Sequence, residues 1–253
     1  MATFIRSDNV SKSFRLAGQP ILVVDQVSVS VRGGEFVSLL GPSGCGKSTL
    51  LALLAAMYAP DSGSIERAGR ISLLMQDDML LPWRDVLDNA VLPLELRGAP
   101  AQQLAAARRQ AERYLPLFGL EGFGGSLPAQ LSGGMRQRAA LLRTVTDGGD
   151  IWLLDEPFGK LDALTKEELQ DWLRGLLAQF DPGVLLVTHD IDEALRLSDR
   201  IYLMSSRPGR IIGELKVAAD EDEQRRLRQQ IKRLLLEDKR NAPEQGAAAD
   251  ALE

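Results

Sequence analysis

The sequence predicts an α/β fold in which short buried strands alternate with helices around a glycine-rich loop. Three apolar runs, at residues 36–40, 151–154 and 184–188, have the length and unbroken apolar character of buried parallel strands. Residues 50–57 and 166–180 have the composition of helices. A glycine-rich segment joins the run 36–40 to the helical run 50–57, which is the strand, loop and helix order of a P-loop.

Other segments give the order of the remaining elements. Residues 21–32 alternate as a strand and end at a Gly-Gly pair, so the chain begins with β-structure. The short apolar run 71–75 predicts a further strand and is followed by a polar break. Residues 101–117 are rich in Ala, Gln, Arg and Leu, which favours helix. We therefore predict a helical insert at about 86–147 within an α/β domain that covers residues 1–217.

The C-terminal part, residues 218–253, predicts a charged helix followed by a frayed tail. Leu227, Ile231, Leu234 and Leu235 fall on one face of that helix. Such a stripe favours packing against the chain's own domain over a partner-binding helix.

Composition excludes several classes of protein. The 253 residues are 45% hydrophobic, so the chain can bury a core, and the net charge of −5 with no long Lys/Arg block argues against a nucleic-acid partner. The longest apolar run, 50–59, is too short to span a bilayer, and residues 1–10 lack the apolar region of a signal peptide. Cys45 is the single cysteine, so no internal disulfide is expected, which fits a reducing cytoplasm.

The glycine-rich segment supplies the first candidate binding residues. Its glycines let successive backbone N–H groups converge on phosphate oxygens, and the helix that follows adds its positive dipole end. Lys47 is expected to reach the β- and γ-phosphates of a nucleotide, and the Ser48 hydroxyl to bind Mg²⁺. The segment comprises Gly41, Pro42, Ser43, Gly44, Cys45, Gly46, Lys47, Ser48 and Thr49.

Two acids follow the apolar run 151–154. Asp155 is expected to hold Mg²⁺ and Glu156 to orient and polarise an attacking water. Acid pairs also occur in ordinary turns after strands, so this interpretation depends on the glycine loop.

Ser132, Gly133 and Gly134 open a helical run and form a second candidate anion site. The alternative is a simple helix cap made by Ser132. With these residues the chain resembles the nucleotide-binding subunits of ATP-binding cassette (ABC) transporters, in which this signature closes over the ATP held by the P-loop of the other subunit. The resemblance runs from about residue 10 to residue 212.

The resemblance implies a P-loop NTPase fold: a RecA-like core with an N-terminal antiparallel β-subdomain and an inserted helical subdomain. It implies that Phe14 stacks on adenine, although a core-packing role for Phe14 stays open, and that Gln76 senses Mg²⁺ and the membrane partner. Asp162 falls in the family's D-loop, where Lys160 stands in place of a commonly small residue.

His189, the only histidine, follows the strand 184–188. A histidine at a strand end is often structural. The resemblance instead makes it the switch histidine that contacts the γ-phosphate and the catalytic water.

Met135 and the segments 81–89 and 206–210 resemble the importer branch for nitrate, sulfonates and taurine. That branch implies an ATPase with ATP and Mg²⁺ at its site, working as a head-to-tail dimer on the cytoplasmic face of the inner membrane. Its partners would be transmembrane permease subunits and, indirectly, a periplasmic or lipid-anchored solute-binding protein.

Two alternatives share the nucleotide motifs: a soluble ABC-type ATPase not coupled to transport, and the ATPase subunit of an exporter. Only 55 positions separate Gln76 from Leu131, which leaves no room for the long coiled coil of some soluble cassette ATPases. Cys45 also has two interpretations. It is either a small residue that fits between two glycines, or a reactive thiol whose pKa is lowered by nearby N–H groups and which MgATP protects from maleimide.

Overall fold

The computed structural model describes residues 3–16, 18–159, 162–218 and 220–241. The strands are β1 (Phe4–Leu16), β2 (Gln19–Arg32), β3 (Phe36–Leu40), β4 (Ser62–Ala68), β5 (Ile71–Leu74), β6 (Ile151–Asp155), β7 (Gly183–Thr188), β8 (Arg200–Met204) and β9 (Ile211–Lys216). The helices are α1 (Lys47–Leu54), α2 (Val86–Leu96), α3 (Ala101–Tyr114), α4 (Gly133–Asp147), α5 (Ala163–Phe180), α6 (Ile191–Leu197) and α7 (Glu221–Asn241), with a 3₁₀ turn at Pro128–Gln130.

The chain divides into two compact units, and the first comprises Met1–Gly69 and Pro182–Glu253. It contains an antiparallel sheet in which β1 pairs with β2 on one side and β4 on the other. It also contains β3, which pairs in parallel with β7 and β8, while β9 runs antiparallel to β8. Every residue of β3 and β7 is buried, as expected for inner parallel strands.

Helix α7 packs on the first unit through the predicted stripe. Ile231 is fully buried in a cluster that includes Leu40, Leu195 and Ile201, and the other leucines of the stripe pack against the same cluster. The prediction that this helix covers its own domain is confirmed. The predicted tail is residues 241–253; Asn241 instead ends α7, and the remainder lies outside the described residues.

The second unit comprises Arg70–Asp181. Strands β5 and β6 pair in parallel, from Ile71 with Ile151 to Leu74 with Leu154. Between them, all elements from Val86 to Asp147 are helical, as the composition shift predicted, and Val91, Leu94 and Ala107 form a small core between α2 and α3. The domain boundaries themselves stay a prediction.

Two features of the fold differ from the sequence prediction. Helix α1 ends at Leu54 and not at residue 57, because Ala56 adopts a left-handed φ of 62° that stops the helix. Strand β4 carries no buried residue and therefore no apolar pattern to reveal it. Within the described ranges, no helix combines the length and apolar character needed to cross a membrane.

Candidate active site

The glycine-rich segment forms a tight loop between β3 and α1. Gly46 caps α1 with a φ of 108°, a conformation that residues other than glycine rarely adopt. A Cβ at Gly46 would also lie 2.9 Å from the carbonyl oxygen of Val23. The bend at this position therefore requires glycine.

Lys47, the first residue of α1, folds back over this loop. Its side chain is only 5% exposed, and Nζ donates hydrogen bonds to the carbonyl oxygens of Gly41 (3.0 Å) and Pro42 (2.9 Å). Ser48 is exposed and Thr49 is partly buried. A positive charge is thus held against a loop that opens a helix, which is the arrangement that favours anionic phosphate.

His189 leaves the sheet at the same edge as this loop. It directly follows Thr188, which pairs with Leu40, and the Gly41 N–H donates to the Thr188 carbonyl oxygen at 3.4 Å. The imidazole is exposed, not buried as a core histidine would be. The structure therefore brings the predicted phosphate loop and the predicted switch histidine together.

A cavity of about 600 Å³ lies between the loop, His189 and helix α7. Sequence reasoning did not identify the α7 wall, because no motif links that helix to the loop. The cavity is lined by Gly41, Pro42, Ser43, His189, Ile191, Ser206, Lys232, Leu235, Leu236 and Lys239.

The burial of Cys45 decides between the two interpretations of its role. The residue is 1% exposed, and burial raises the pKa of its thiol, although the charges of Lys47 and Arg207 and backbone hydrogen bonds act in the opposite direction. The hypothesis of a reactive thiol with a lowered pKa is therefore wrong. Burial outweighs the nearby donors, and Cys45 is a small residue packed between two glycines.

Phe14 lies on β1 and is half-buried. Its ring meets Tyr58 edge to face with centroids 5.5 Å apart, and Lys12 Nζ lies 5.8 Å from the ring centroid. Because Phe14 is not part of the buried core, its partly exposed ring suits stacking on a ligand better than core packing. Its adenine contact stays a prediction.

In the second unit, Gln76 and the acid pair lie at one edge of the β5–β6 pair. Leu74 pairs with Leu154 and the two strands are parallel, so Gln76, two residues after β5, and Asp155, the last residue of β6, lie at the same end of neighbouring strands. Gln76 is exposed, whereas Asp155 is 3% exposed. Glu156 has a φ of 42°, an uncommon conformation for a residue other than glycine, which turns the chain sharply after β6.

Ser132 caps helix α4, as the structural alternative predicted. Its hydroxyl oxygen accepts the Met135 N–H at 3.2 Å, and Gly133 and Gly134 form the first turn. A Cβ at Gly134 would lie 3.3 Å from the Thr165 methyl group, so little room exists there. A cap and an anion site use the same exposed helix N-terminus and do not exclude each other.

Asp162 caps helix α5. It accepts hydrogen bonds from the Thr165 hydroxyl (2.7 Å) and the Thr165 N–H (3.1 Å), and these two bonds lower the pKa of its carboxyl group. The carboxylate is therefore ionised at neutral pH. The unusual Lys160 of this predicted D-loop lies outside the described residues.

Two buried polar residues that the sequence analysis did not single out support the region after Gln76. Arg143 is 9% exposed and donates to the carbonyl oxygens of Asp78 and Met79, at 2.7 Å each. Asn89 is 1% exposed and binds the backbone of residues 81–85. Arg143 lies far from Asp78 and Met79 in sequence, and Asn89 lies inside helix α2. No local sequence pattern therefore indicates these contacts.

The residues suit a nucleotide–Mg²⁺ complex by their chemistry. The hydroxyl of Ser48 and the carboxylate of Asp155 are hard oxygen donors of the kind Mg²⁺ prefers. In the part of the chain that the structure describes, no group of three or more His, Cys, Asp or Glu side chains is arranged to hold a metal ion.

Comparison with known proteins agrees with this geometry. The family model described as "ABC transporter" matches residues 24–159. The nitrate import ATP-binding protein NrtD of Synechococcus elongatus is 40% identical over 220 residues, covering 84% of this chain and 80% of that protein. The taurine import ATP-binding protein TauB of Pseudomonas aeruginosa is 41% identical over 221 residues, covering 84% of this chain and 83% of that protein.

Two further matches extend the comparison. The formylaminopyrimidine import ATP-binding protein ThiZ of Halalkalibacterium halodurans is 39% identical over 229 residues, covering 85% of this chain and 91% of that protein. Among solved structures, the dimeric structure of MJ0796, a bacterial ABC transporter cassette, is 30% identical with a TM-score of 0.73, covering 85% of this chain and all of that one.

The chain therefore belongs to the ABC transporter family and is one of its ATP-binding subunits. The predicted resemblance, the P-loop NTPase fold and the ABC-type ATPase class are confirmed. A related cassette has been solved bound to ADP and phosphate, which are the products of ATP hydrolysis.

Proposed function

We propose that this protein is the ATP-hydrolysing subunit of an importer for a small solute such as a sulfonate, taurine or nitrate. The observation that carries the proposal is the glycine loop between β3 and α1, with the Lys47 ammonium held against it. The relatives named for import of nitrate, taurine and a formylaminopyrimidine support import over export and over a soluble ATPase.

Residues of the first unit would bind the nucleotide. Lys47 meets the β- and γ-phosphates, the N–H groups of the loop and of α1 bind phosphate oxygens, and Phe14 stacks on adenine. Ser48, Asp155 and Gln76 would hold Mg²⁺, which when bound neutralises charge that develops on the phosphates.

Glu156 and His189 act on the attacking water and the γ-phosphate. The Glu156 carboxylate accepts a hydrogen bond from the water and orients it for in-line attack, and His189 contacts the terminal phosphate. The acceleration comes from positioning and from stabilisation of spreading charge, since the protein forms no covalent intermediate.

A second copy of the chain completes each site. The Ser132 hydroxyl and the Gly134 backbone, at the N-terminus of α4, would close over ATP held by the other copy, with Asp162 at the same interface. The dimeric state of the solved MJ0796 cassette supports a head-to-tail dimer with two ATP molecules. In this scheme ATP binding closes the dimer and hydrolysis reopens it.

The permease contact would use exposed apolar residues of the second unit. Met79, Trp83 and Leu96 are 59%, 72% and 78% exposed, so their apolar side chains are available to a partner. Binding there would place the subunit at the cytoplasmic face of the inner membrane, with the solute-binding protein linked only through the permease.

Affinity purification tests this proposal. A tagged chain, extracted with detergent from membranes of its native host, should copurify with a polytopic membrane protein identified by mass spectrometry. Trp83→Ala should reduce that copurification, whereas Ile212→Ala, which changes an exposed apolar residue on β9, should not. Recovery of the chain with no membrane protein would contradict the transport assignment.

A further inference from the structure

The loop between β8 and β9, residues 205–210, lies directly against the phosphate loop. We call residues 205–210 the brace loop. Arg207 Nε donates a hydrogen bond of 3.1 Å to the carbonyl oxygen of Gly44. A Cβ at Gly209 would lie 2.4 Å from the carbonyl oxygen of Cys45, so the two backbones are in close contact. The brace loop thus touches two consecutive residues of the phosphate loop.

The brace loop is fixed without Arg207. The Gly209 N–H donates to the Val23 carbonyl oxygen (2.8 Å), and the Asp25 N–H donates to the Gly209 carbonyl oxygen (3.0 Å). The Ser205 hydroxyl donates to the Pro208 carbonyl oxygen at 3.0 Å and accepts an N–H from the far end of the loop. Because these bonds hold the brace loop in place, the Arg207 side chain is not needed for that purpose and is available to bind the phosphate loop.

Helix α7 supports the brace loop from the other side. The Asp238 carboxylate accepts the Ser206 N–H at 2.7 Å. Helix α7 is itself held by Ile231, which is fully buried against the sheet. A chain of contacts therefore runs from the C-terminal helix through Ser206 and Arg207 to Gly44.

The contact matters because of what Gly44 must do. Gly44 has a φ of 70°, a conformation that glycine adopts easily but leaves just as easily. Phosphate binding requires the N–H groups of this loop to converge, and a loop already held in place loses less entropy when the ligand binds. A charged donor on the Gly44 carbonyl restrains that peptide unit and places positive charge beside the loop.

We propose that Arg207 is a positioning residue for the phosphate loop, and that Asp238 lets the C-terminal helix set the affinity of this site for ATP. The inference rests on the proposed function of the same loop. It assigns a role to the 206–210 segment, which the sequence analysis could use only as a resemblance.

Matched arginine variants test the proposal by direct ATP titration, steady-state kinetics and thermal unfolding without nucleotide. Arg207→Met keeps the apolar stem and removes the donor. It should raise the Kd and the KM for ATP about fivefold or more, a part of what a charge-assisted hydrogen bond contributes, and leave kcat within about twofold. Arg207→Lys should restore part of the affinity. Arg210→Met is the control, since Arg210 pairs with Asp25 and its side chain is 63% exposed.

A second pair tests the helix. Asp238→Ala should raise the Kd for ATP in the same direction as Arg207→Met. Glu237→Ala, which removes a neighbouring exposed carboxylate that lies 4.0 Å from Arg233 on the same helix, should leave the Kd unchanged.

Three results would overturn the inference. One is an ATP affinity of Arg207→Met equal to that of Arg210→Met, and another is a fall in kcat with no change in affinity. The third is a lower melting temperature without nucleotide while the folded protein binds ATP normally, which would make Arg207 merely structural. Lys47→Ala separates this from the proposed function: if Lys47→Ala also binds ATP normally, the nucleotide assignment of the loop fails, and not only the role of Arg207.

Discussion

Replacing Asn89 should lower the free energy of unfolding by an amount that is large for a single polar residue of the second unit. The Asn89 side chain is 1% exposed, and four backbone atoms lie within hydrogen-bond distance of its amide group. Its oxygen accepts the Leu81 N–H at 2.7 Å, and the two hydrogens of its amide nitrogen are shared among the carbonyl oxygens of Leu81 (3.2 Å), Arg84 (3.0 Å) and Asp85 (3.0 Å). One side chain therefore fixes the turn that precedes α2.

The size of the effect follows from these bonds. Asn89→Ala leaves the partly buried Leu81 N–H without its acceptor and removes the donor amide from the carbonyl groups that it faces. Because a net hydrogen bond contributes about 1 kcal/mol and an unsatisfied buried group costs about 1–3 kcal/mol, we expect a loss of roughly 2–4 kcal/mol in the free energy of unfolding. For a chain of this size that is a fall of roughly 5–15 °C in melting temperature.

Denaturant unfolding followed by circular dichroism measures this change. Gln102→Ala, an exposed residue of α3, is the control and should stay within about 0.5 kcal/mol of the parent protein. If Asn89→Ala also stays within that limit, the hydrogen bonds of the Asn89 amide do not hold the turn.

Two further predictions concern the candidate site. His189→Ala should depress ATP hydrolysis yet leave ADP affinity and the melting temperature without nucleotide unchanged, since the exposed ring is expected to touch only the terminal phosphate; a large loss of either property would indicate a structural role. Cys45 should react with maleimide at pH 7 far more slowly in the native protein than in denaturant, because burial shields the thiol and raises its pKa; rapid native labelling would contradict this.

The strands that the sequence predicted well are those buried on both faces. Runs 36–40, 151–154 and 184–188 match β3, β6 and β7 to within one residue, because a strand covered on both sides needs an unbroken apolar sequence. Strand β4 was missed for the opposite reason. It pairs along one edge of the antiparallel sheet with no buried side chain, so hydrogen bonding and not burial determines it.

The candidate site divides in the same way between local and distant contacts. The phosphate loop, the cap at Ser132 and the cap at Asp162 are recognisable because each depends on a few consecutive residues. The contact of Arg207 with Gly44 joins positions 163 residues apart, and no local pattern indicates it. Cys45 shows how a local argument fails: nearby N–H groups predicted a lowered pKa, but burial by distant residues raises it.

ATP turnover by Glu156→Gln tests whether this site hydrolyses ATP. The amide keeps the shape of the side chain but accepts a hydrogen bond from water less strongly and cannot take its proton. We expect this variant to bind MgATP with near wild-type affinity and to elute as an ATP-bound dimer on size exclusion. Its turnover should fall about a hundredfold or more, which is the scale of general-base assistance. Turnover close to that of the wild type, with the protein monomeric in ATP, would contradict both the role of Glu156 and the assignment of this site as the place of hydrolysis.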